Sequence, residues 1–230
     1  MAVGFRPAVA QNARELAEAR TAYAQANRGP NMTMLRAGLV NQTSGFFGDG
    51  ALRPGALRTF DGRYRPVPGL RYHAGLRLLE AQDSINLDST HLWPLGSLRG
   101  FDLGEPGSGT AVRRFRPRLV KEGSAGARRD FVEVLTAVDA GPLLLGWLYS
   151  SGADASNGRF SLEPMLLVGP GNDANEPLRP FALSQTNVLK LFGSRAADVG
   201  GYAMREELKY FKVEDVAKMI DYYNQRAVVK

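Results

Sequence analysis

The stretch from Phe131 to Tyr149 admits few structures. Val132, Val134 and Val138 share one parity of Phe131–Val138, and Leu143, Leu145, Trp147 and Tyr149 share one parity of the next run. A period of two belongs to strands, because successive side chains leave a strand on opposite faces. Asp139-Ala140-Gly141-Pro142 lies between the runs, and its Gly and Pro favour a turn. The pair is predicted as a β-hairpin.

Strand signals continue on both sides. Ile85-Asn86-Leu87, His91-Leu92-Trp93 and the run from Ala111 to Val120 are predicted strands before the hairpin. Pro117 interrupts the last of these and points to an edge or a bulge. After the hairpin come Arg159 to Val168, bent at Pro164, and Phe181 to Phe192, closed by Gly193. An antiparallel β core over about 85–193 is expected.

Helical periodicity marks the two ends. Residues 8–28 are rich in alanine, with Val9, Ala13, Leu16 and Tyr23 near one face, and Asn27-Arg28-Gly29-Pro30 stops them. Val213, Val216, Ile220 and Tyr223 make a second stripe, with Glu214 and Asp215 in its first turn, where the helix dipole favours anions. A short helix over 203–211 precedes it. Residues 29–79 read as an irregular, Gly-, Pro- and Arg-rich arm with repeated Leu-Arg pairs, and a helix is predicted over 72–83. In extended chain a Leu-Arg pair sends leucine to one face and arginine to the other. The expected class is α+β: an N-terminal helix and extended arm over 1–84, the β core over 85–193, and a C-terminal helical segment over 194–230.

Composition narrows the classes. A hydrophobic share of 44% supports a core. The chain has no cysteine, which excludes disulfides, thiolate metal sites and a cysteine nucleophile. No run approaches the roughly 18 apolar residues of a membrane span, and Met1–Pro7 lacks the apolar stretch of a secretory signal. The expected location is a virion or a host cytoplasm, without membrane contact.

Charge is unevenly spread. Residues 1–129 hold eighteen of the twenty-three arginines and one lysine, Lys121, and net +9 against ten acids. Residues 130–230 net −3, which with the first part gives the +6 of the chain. Such asymmetry belongs to surfaces that meet nucleic acid or an acidic protein. Arg113, Arg114, Arg116, Arg118, Lys121, Arg128 and Arg129 fall within seventeen residues, with Glu122 the sole acid among them. Guanidinium forks suit phosphate, so this segment is the candidate nucleic-acid or anion contact. Gly123-Ser124-Ala125-Gly126 divides it. Arg53, Arg58, Arg65 and Arg71 are interleaved with Tyr64 and Tyr72. Arg and Tyr favour protein interfaces, so these residues, with Val213, Val216, Ile220 and Tyr223, are the candidate assembly interface.

Catalytic patterns are weak. Gly104–Ala111 resembles a phosphate loop but lacks its Lys-Ser/Thr ending. Asp88-Ser89-Thr90-His91 gathers catalytic residue types, yet nearness in sequence rarely gives triad geometry. His73 and His91 match no zinc spacing. No cofactor and no metal are expected. The expected function is a structural, non-enzymatic subunit of a large multi-copy assembly, of capsid, connector or tail type in a virion or phage particle. Its partners would be further copies or other subunits of the particle, with nucleic acid possible. The alternatives are a nucleic-acid-binding or ribonucleoprotein component, and an enzyme of unknown class.

Overall fold

A computed structural model describes residues 8–41, 45–109, 111–124, 126–153 and 160–227. Met1–Pro7, Thr110, Ala125 and Arg159, which entered the sequence reading, lie outside the described residues. Ten described strands form one sheet: β1 (Arg53–Arg58), β2 (Tyr64–His73), β3 (Leu78–Gln82), β4 (Thr90–Pro94), β5 (Gly100–Leu103), β6 (Arg113–Val120), β7 (Arg128–Val134), β8 (Leu144–Ala153), β9 (Phe160–Gly169) and β10 (Arg179–Pro180). Their order is β10-β9-β8-β7-β6-β5-β1-β2-β3-β4. Helices α1 (Ala8–Ala26) and α2 (Gly29–Asn41) precede the sheet, and α3 (Gln185–Leu191), α4 (Ala196–Arg205) and α5 (Val213–Ala227) follow it. The class is α+β with an antiparallel sheet.

The Phe131–Tyr149 hairpin is present as β7 and β8, with Val132 opposite Leu148 and Val134 opposite Gly146. Both faces of β8 are covered. Leu144 and Leu148 join Val120, Val132, Val134, Leu167 and Leu178. Leu145 meets Val188, Phe192, Val199, Val216 and Ile220 of the C-terminal helices. Val138 is 50% exposed, because β7 ends at Val134.

The sheet begins at Arg53 rather than near residue 85. The Leu-Arg pairs do lie in extended chain, with Leu57 and Leu70 buried and Arg58 and Arg71 only half-buried. Paired strands, however, replace the predicted arm: Leu57 faces Arg65 across β1–β2, and Tyr72 faces Leu79 across β2–β3. The helix predicted over 72–83 is instead the end of β2, a turn and β3, the turn closed by the Arg77 N–H on the Ala74 carbonyl at 3.2 Å. Pro30 starts α2 rather than ending the helical region, since a proline early in a helix lacks only an N–H that would go unpaired there. Ile85-Asn86-Leu87 is a turn, not a strand.

Pro117 lies inside the sheet and not at its edge. β5 pairs with β6 over Phe101–Leu103 and Phe115–Arg113, so Pro117 falls past these pairs and costs that ladder no bond. The strand predicted at Phe181–Phe192 is α3 instead. Ser184 caps it, its Oγ accepting the Asn187 N–H at 3.1 Å.

The chain divides into two compact units. The first spans Met1–Pro117 with Tyr149–Glu163, and the second spans Arg118–Leu148 with Pro164–Lys230. In the first, Leu70, Tyr72, Leu79, Leu92, Phe101 and Phe115 are buried, and the Phe101 and Phe115 rings stack 4.6 Å apart. Ala26 and Leu39 bring α1 and α2 onto Leu78 and Leu92. Asn27 then treats β4 as a strand would. Its Oδ1 accepts the Leu92 N–H at 2.8 Å and its Nδ2 donates to the Leu92 carbonyl at 2.6 Å. Arg36 donates to the Thr90 carbonyl at 2.6 Å. The β4 edge is thereby shielded against pairing with another chain. The opposite edge, β10, has two residues, one of them Pro180, and offers almost no ladder.

In the second unit, α4 occupies 196–205 rather than the predicted 203–211. It closes on Glu207 at φ 53°, with the Leu208 N–H on the Ala203 carbonyl at 2.8 Å. That left-handed position strains any residue with a Cβ. Glu207→Gly is expected to stabilise the protein by about 0.5–1 kcal/mol. A thermal melt should show a higher Tm, and an unchanged or lower Tm contradicts the αL cap.

Candidate functional site: an arginine-framed surface

The basic segment does not form an open row of cations. Arg116 is 6% exposed, and one of its guanidinium nitrogens lies 2.7 Å from Asp102 Oδ1 and 2.8 Å from the Phe115 carbonyl. Arg118, also 6% exposed, donates to the Asp139 carbonyl. Arg128 lies 2.6 Å from Glu122 and 3.5 Å from Asp130. Arg129, on the exposed side of β7, donates to Asn175 Oδ1 at 2.9 Å. Arg114 and Lys121 are half-buried, and the Lys121 N–H holds the Leu178 carbonyl at 2.9 Å. Arg114, Arg116 and Arg118 share one parity of β6 and so one face, on which Arg116 and Arg118 are buried. A phosphate-binding row of seven cations is therefore not what the fold presents.

Arg113 sits apart from the others. Its guanidinium lies 4.3 Å from the Phe47 ring centre and donates to Tyr149 Oη at 2.7 Å. With Arg53 and Arg71 it lines a cavity of about 520 Å³ whose apolar wall is Phe47, Leu70, Tyr72 and Leu103. Glu105 and Ser108 complete one side. A groove of about 570 Å³, lined by Tyr64, Pro66, Val67, Pro68 and Pro106, shares Pro54, Gly104 and Glu105 with this cavity. The surface offers positive charge beside apolar floor. Neither lining includes a histidine.

Two buried carboxylates organise the arginines around this surface. Asp102, 3% exposed, holds Arg116 and also receives Arg58 Nη2 at 2.9 Å and Nε at 3.1 Å. Glu80, 4% exposed, receives Arg71 Nε at 2.6 Å and the Thr90 hydroxyl at 2.6 Å, with Arg36 at 3.6 Å. Such pairs are charge-assisted hydrogen bonds that fix the guanidinium planes. Sequence reading missed both acids. Their only local signal is an acid within a strand-like apolar run, Phe101-Asp102-Leu103 and Leu79-Glu80-Ala81.

The predicted interface residues divide in the same way. Arg53, Tyr64 and Arg65 are exposed, and Arg58 lies 5.3 Å from the Tyr64 ring centre. Arg71 is spent on Glu80. Tyr72, Val216 and Ile220 are buried within their own units at 1%, 0% and 0% exposure, so they cannot meet a partner. Val213 and Tyr223 are half-buried against the same helical core. An amphipathic stripe shows that a face is covered, not by what, and here the chain covers its own stripe.

The Asp88–His91 cluster does not assemble. The Thr90 hydroxyl turns to Glu80, and His91 Nε2 faces Asp83 Oδ2 at 3.1 Å. Asp83 organises the β3–β4 turn, accepting the Ile85 N–H at 2.7 Å and the Asn86 N–H at 2.9 Å. Those two amides, more than His91, hold its carboxyl below the usual aspartate range. With a folded-state pKa below the unfolded one, the turn is fully braced above the ordinary aspartate pKa. The brace is lost as pH falls through the depressed value. No group of three or more metal-ligating side chains occurs among the described residues. No described helix is long and apolar enough to cross a membrane. No protein-family model, curated protein or solved structure matches the chain.

Proposed function

We propose that this chain is a structural subunit of a large multi-copy assembly, of the capsid, connector or tail type found in virion and phage particles. The observation that carries the reading is apolar exposure on defined elements of both units. Ile85 is 94% exposed, Met204 82%, Val40 73%, Phe211 69% and Met34 67%. Exposed apolar surface is costly unless a partner covers it. Shielded sheet edges direct association toward side-chain surfaces rather than strand addition. The charge asymmetry of the chain adds a means of orienting copies on one another.

Sedimentation velocity across a concentration series, with the 260/280 nm absorbance ratio of the same material, tests the reading. Assembled species with a mass many times 25.0 kDa are expected. A monomer at every concentration overturns the proposal. A protein-only absorbance ratio in assembled material removes nucleic acid as a structural partner, and a nucleoprotein ratio restores the 113–129 segment as a contact.

A further inference from the structure

We propose that His73 is an acid-released latch. Its neutral imidazole holds residues 45–47 against the end of β2, and a proton on the ring frees that segment while the sheet stays folded. The latch is a property of one chain and does not depend on assembly.

The ring is fully buried, at 0% exposure. Its Nδ1 accepts the Leu76 N–H at 3.0 Å. A ring nitrogen that accepts carries no proton, so the imidazole is neutral, with its proton on Nε2. The Phe46 ring meets it edge-on, the two centres 4.8 Å apart. The chain passes so close to it that a Cβ at Gly45 would collide with Cε1, Nε2 and Nδ1. Backbone bonds lie on both sides of the ring. The Phe47 N–H donates to the Tyr72 carbonyl at 2.8 Å, and the Ala74 N–H donates to the Gly45 carbonyl at 2.9 Å. The segment thus sits beside β2 as an isolated bridge, Phe46 opposite His73.

Protonation makes both ring nitrogens donors. Nδ1–H then faces the Leu76 N–H, and a charge is held away from water. The charged residues on the elements around the ring do not offset it. Arg71 lies two residues back on the same face of β2, and Glu80 lies opposite Arg71 on β3. Glu80 is one carboxylate serving two guanidiniums, Arg71 and Arg36 of α2. Arg77, in the turn, is exposed. Asp49, beyond the segment, is 60% exposed and holds Arg53. Because the folded site favours the neutral ring, its contribution is complete above the ordinary histidine value of about 6.5 and is lost progressively as pH falls below it. The segment is the part that yields. β2 and β3 share a continuous ladder from Leu70–Ala81 to His73–Leu78, whereas residues 45–47 have only a bridge. Opening bares the Phe46 ring, which is 7% exposed when closed.

His73 and His91 are the only histidines, so a histidine transition belongs to one of the two. His91 faces Asp83 Oδ2 at 3.1 Å, where a positive charge gains a partner, and so acts in the opposite direction. Native-state hydrogen exchange at about pH 8 and about pH 5, the span in which histidine changes charge, reads the latch. Protection of the Phe47, Ala74 and Leu76 amides, relative to intrinsic exchange, should fall at least about tenfold at the acid end. The Leu92 and Gly104 amides, bonded elsewhere in the same unit, should keep theirs. His73→Asn retains an acceptor beside Leu76 and does not titrate, so the fall should vanish, whereas His91→Asn should leave it in place. A fall that survives His73→Asn or vanishes in His91→Asn overturns the latch, and so does equal loss at Leu92 and Gly104. Where His73→Asn does not fold, the wild-type imidazole Cε1 proton shift decides. A His73 ring that stays neutral at the acid end, or takes up its proton with Phe47 and Ala74 still protected, also overturns the latch.

Discussion

Asp102→Ala is expected to destabilise the protein by about 3–5 kcal/mol, the usual cost of removing one partner from a buried ion pair. Its carboxylate is the shared acceptor for Arg58 and Arg116. Arg58 is 42% exposed along its side chain and can return to water, whereas Arg116 is 7% exposed and cannot. The loss therefore centres on the buried Arg116 guanidinium, which keeps the Phe101 and Phe115 carbonyls but loses this carboxylate. Arg116→Met in the Asp102→Ala background removes that buried charge and should recover part of the stability. Urea denaturation of the two single variants and the double variant supplies the cycle. Additive losses in the double variant contradict the view that Asp102 serves to neutralise Arg116.

The same site shows how far a sequence carries its own electrostatics. The crowding of arginine into the first 129 residues is visible at once, and so is the strand that holds Arg113–Arg118. What is not visible is which carboxylate each arginine reaches. Asp102 and Arg116 meet because β5 lies antiparallel to β6, with Asp102 opposite Arg114. Glu80 meets Arg71 because β2 pairs with β3, with those two residues opposite each other. Register is a tertiary fact, set by turn length and by the packing of two faces. A basic run therefore looks like a cationic surface until its cross-strand partners are known. The reverse held for Leu57-Arg58 and Leu70-Arg71, where the two-residue alternation correctly gave extended chain with leucine inward. The arm reading failed because nothing local in 53–82 says that three such segments pair with one another.

The helical ends were legible to different depths. The stripe Val213, Val216, Ile220, Tyr223 gave α5 directly, since a 3.6-residue period needs no partner to be seen. α2 was obscured by Gly29-Pro30, which separates two helices as readily as it ends one. α3 was obscured because it is short, Gln185–Leu191, and over so few residues period alone does not separate strand from helix. The Ser184 cap was the available signal. The exposed Ile85 turn was read as a strand for a related reason. Alternation over three residues is too short to carry weight, whereas Asp83 three residues before Asn86 fits an Asx-type turn.

Asn224→Ala is expected to cost about 2–4 kcal/mol, because it removes a buried side chain and leaves the part-buried N–H and carbonyl of Leu143 without that partner. Asn224 is 3% exposed in α5, and its amide does for Leu143 what Asn27 does for Leu92. Its Oδ1 accepts the Leu143 N–H at 2.9 Å, and its Nδ2 donates to the Leu143 carbonyl at 2.7 Å. Leu143 immediately precedes β8, where the turn from β7 enters the strand. Gly141 in that turn approaches Asn224 so closely that a Cβ at Gly141 would clash with the amide. Both termini of the amide are thus used, and the backbone around it is shaped to admit it. Asn27 is half-buried, so water can replace part of what Asn27→Ala removes, and that loss should be nearer 1 kcal/mol. Gln225→Ala, on the exposed face of the same helix, should change stability by less than about 0.5 kcal/mol. Chemical denaturation ranks the three variants, and native-state hydrogen exchange locates the effect. In Asn224→Ala the Leu143 amide should lose its protection while those of Val132 and Leu148 fall only with global stability. Retained protection at Leu143 would mean that the turn is held by its own backbone and not by α5.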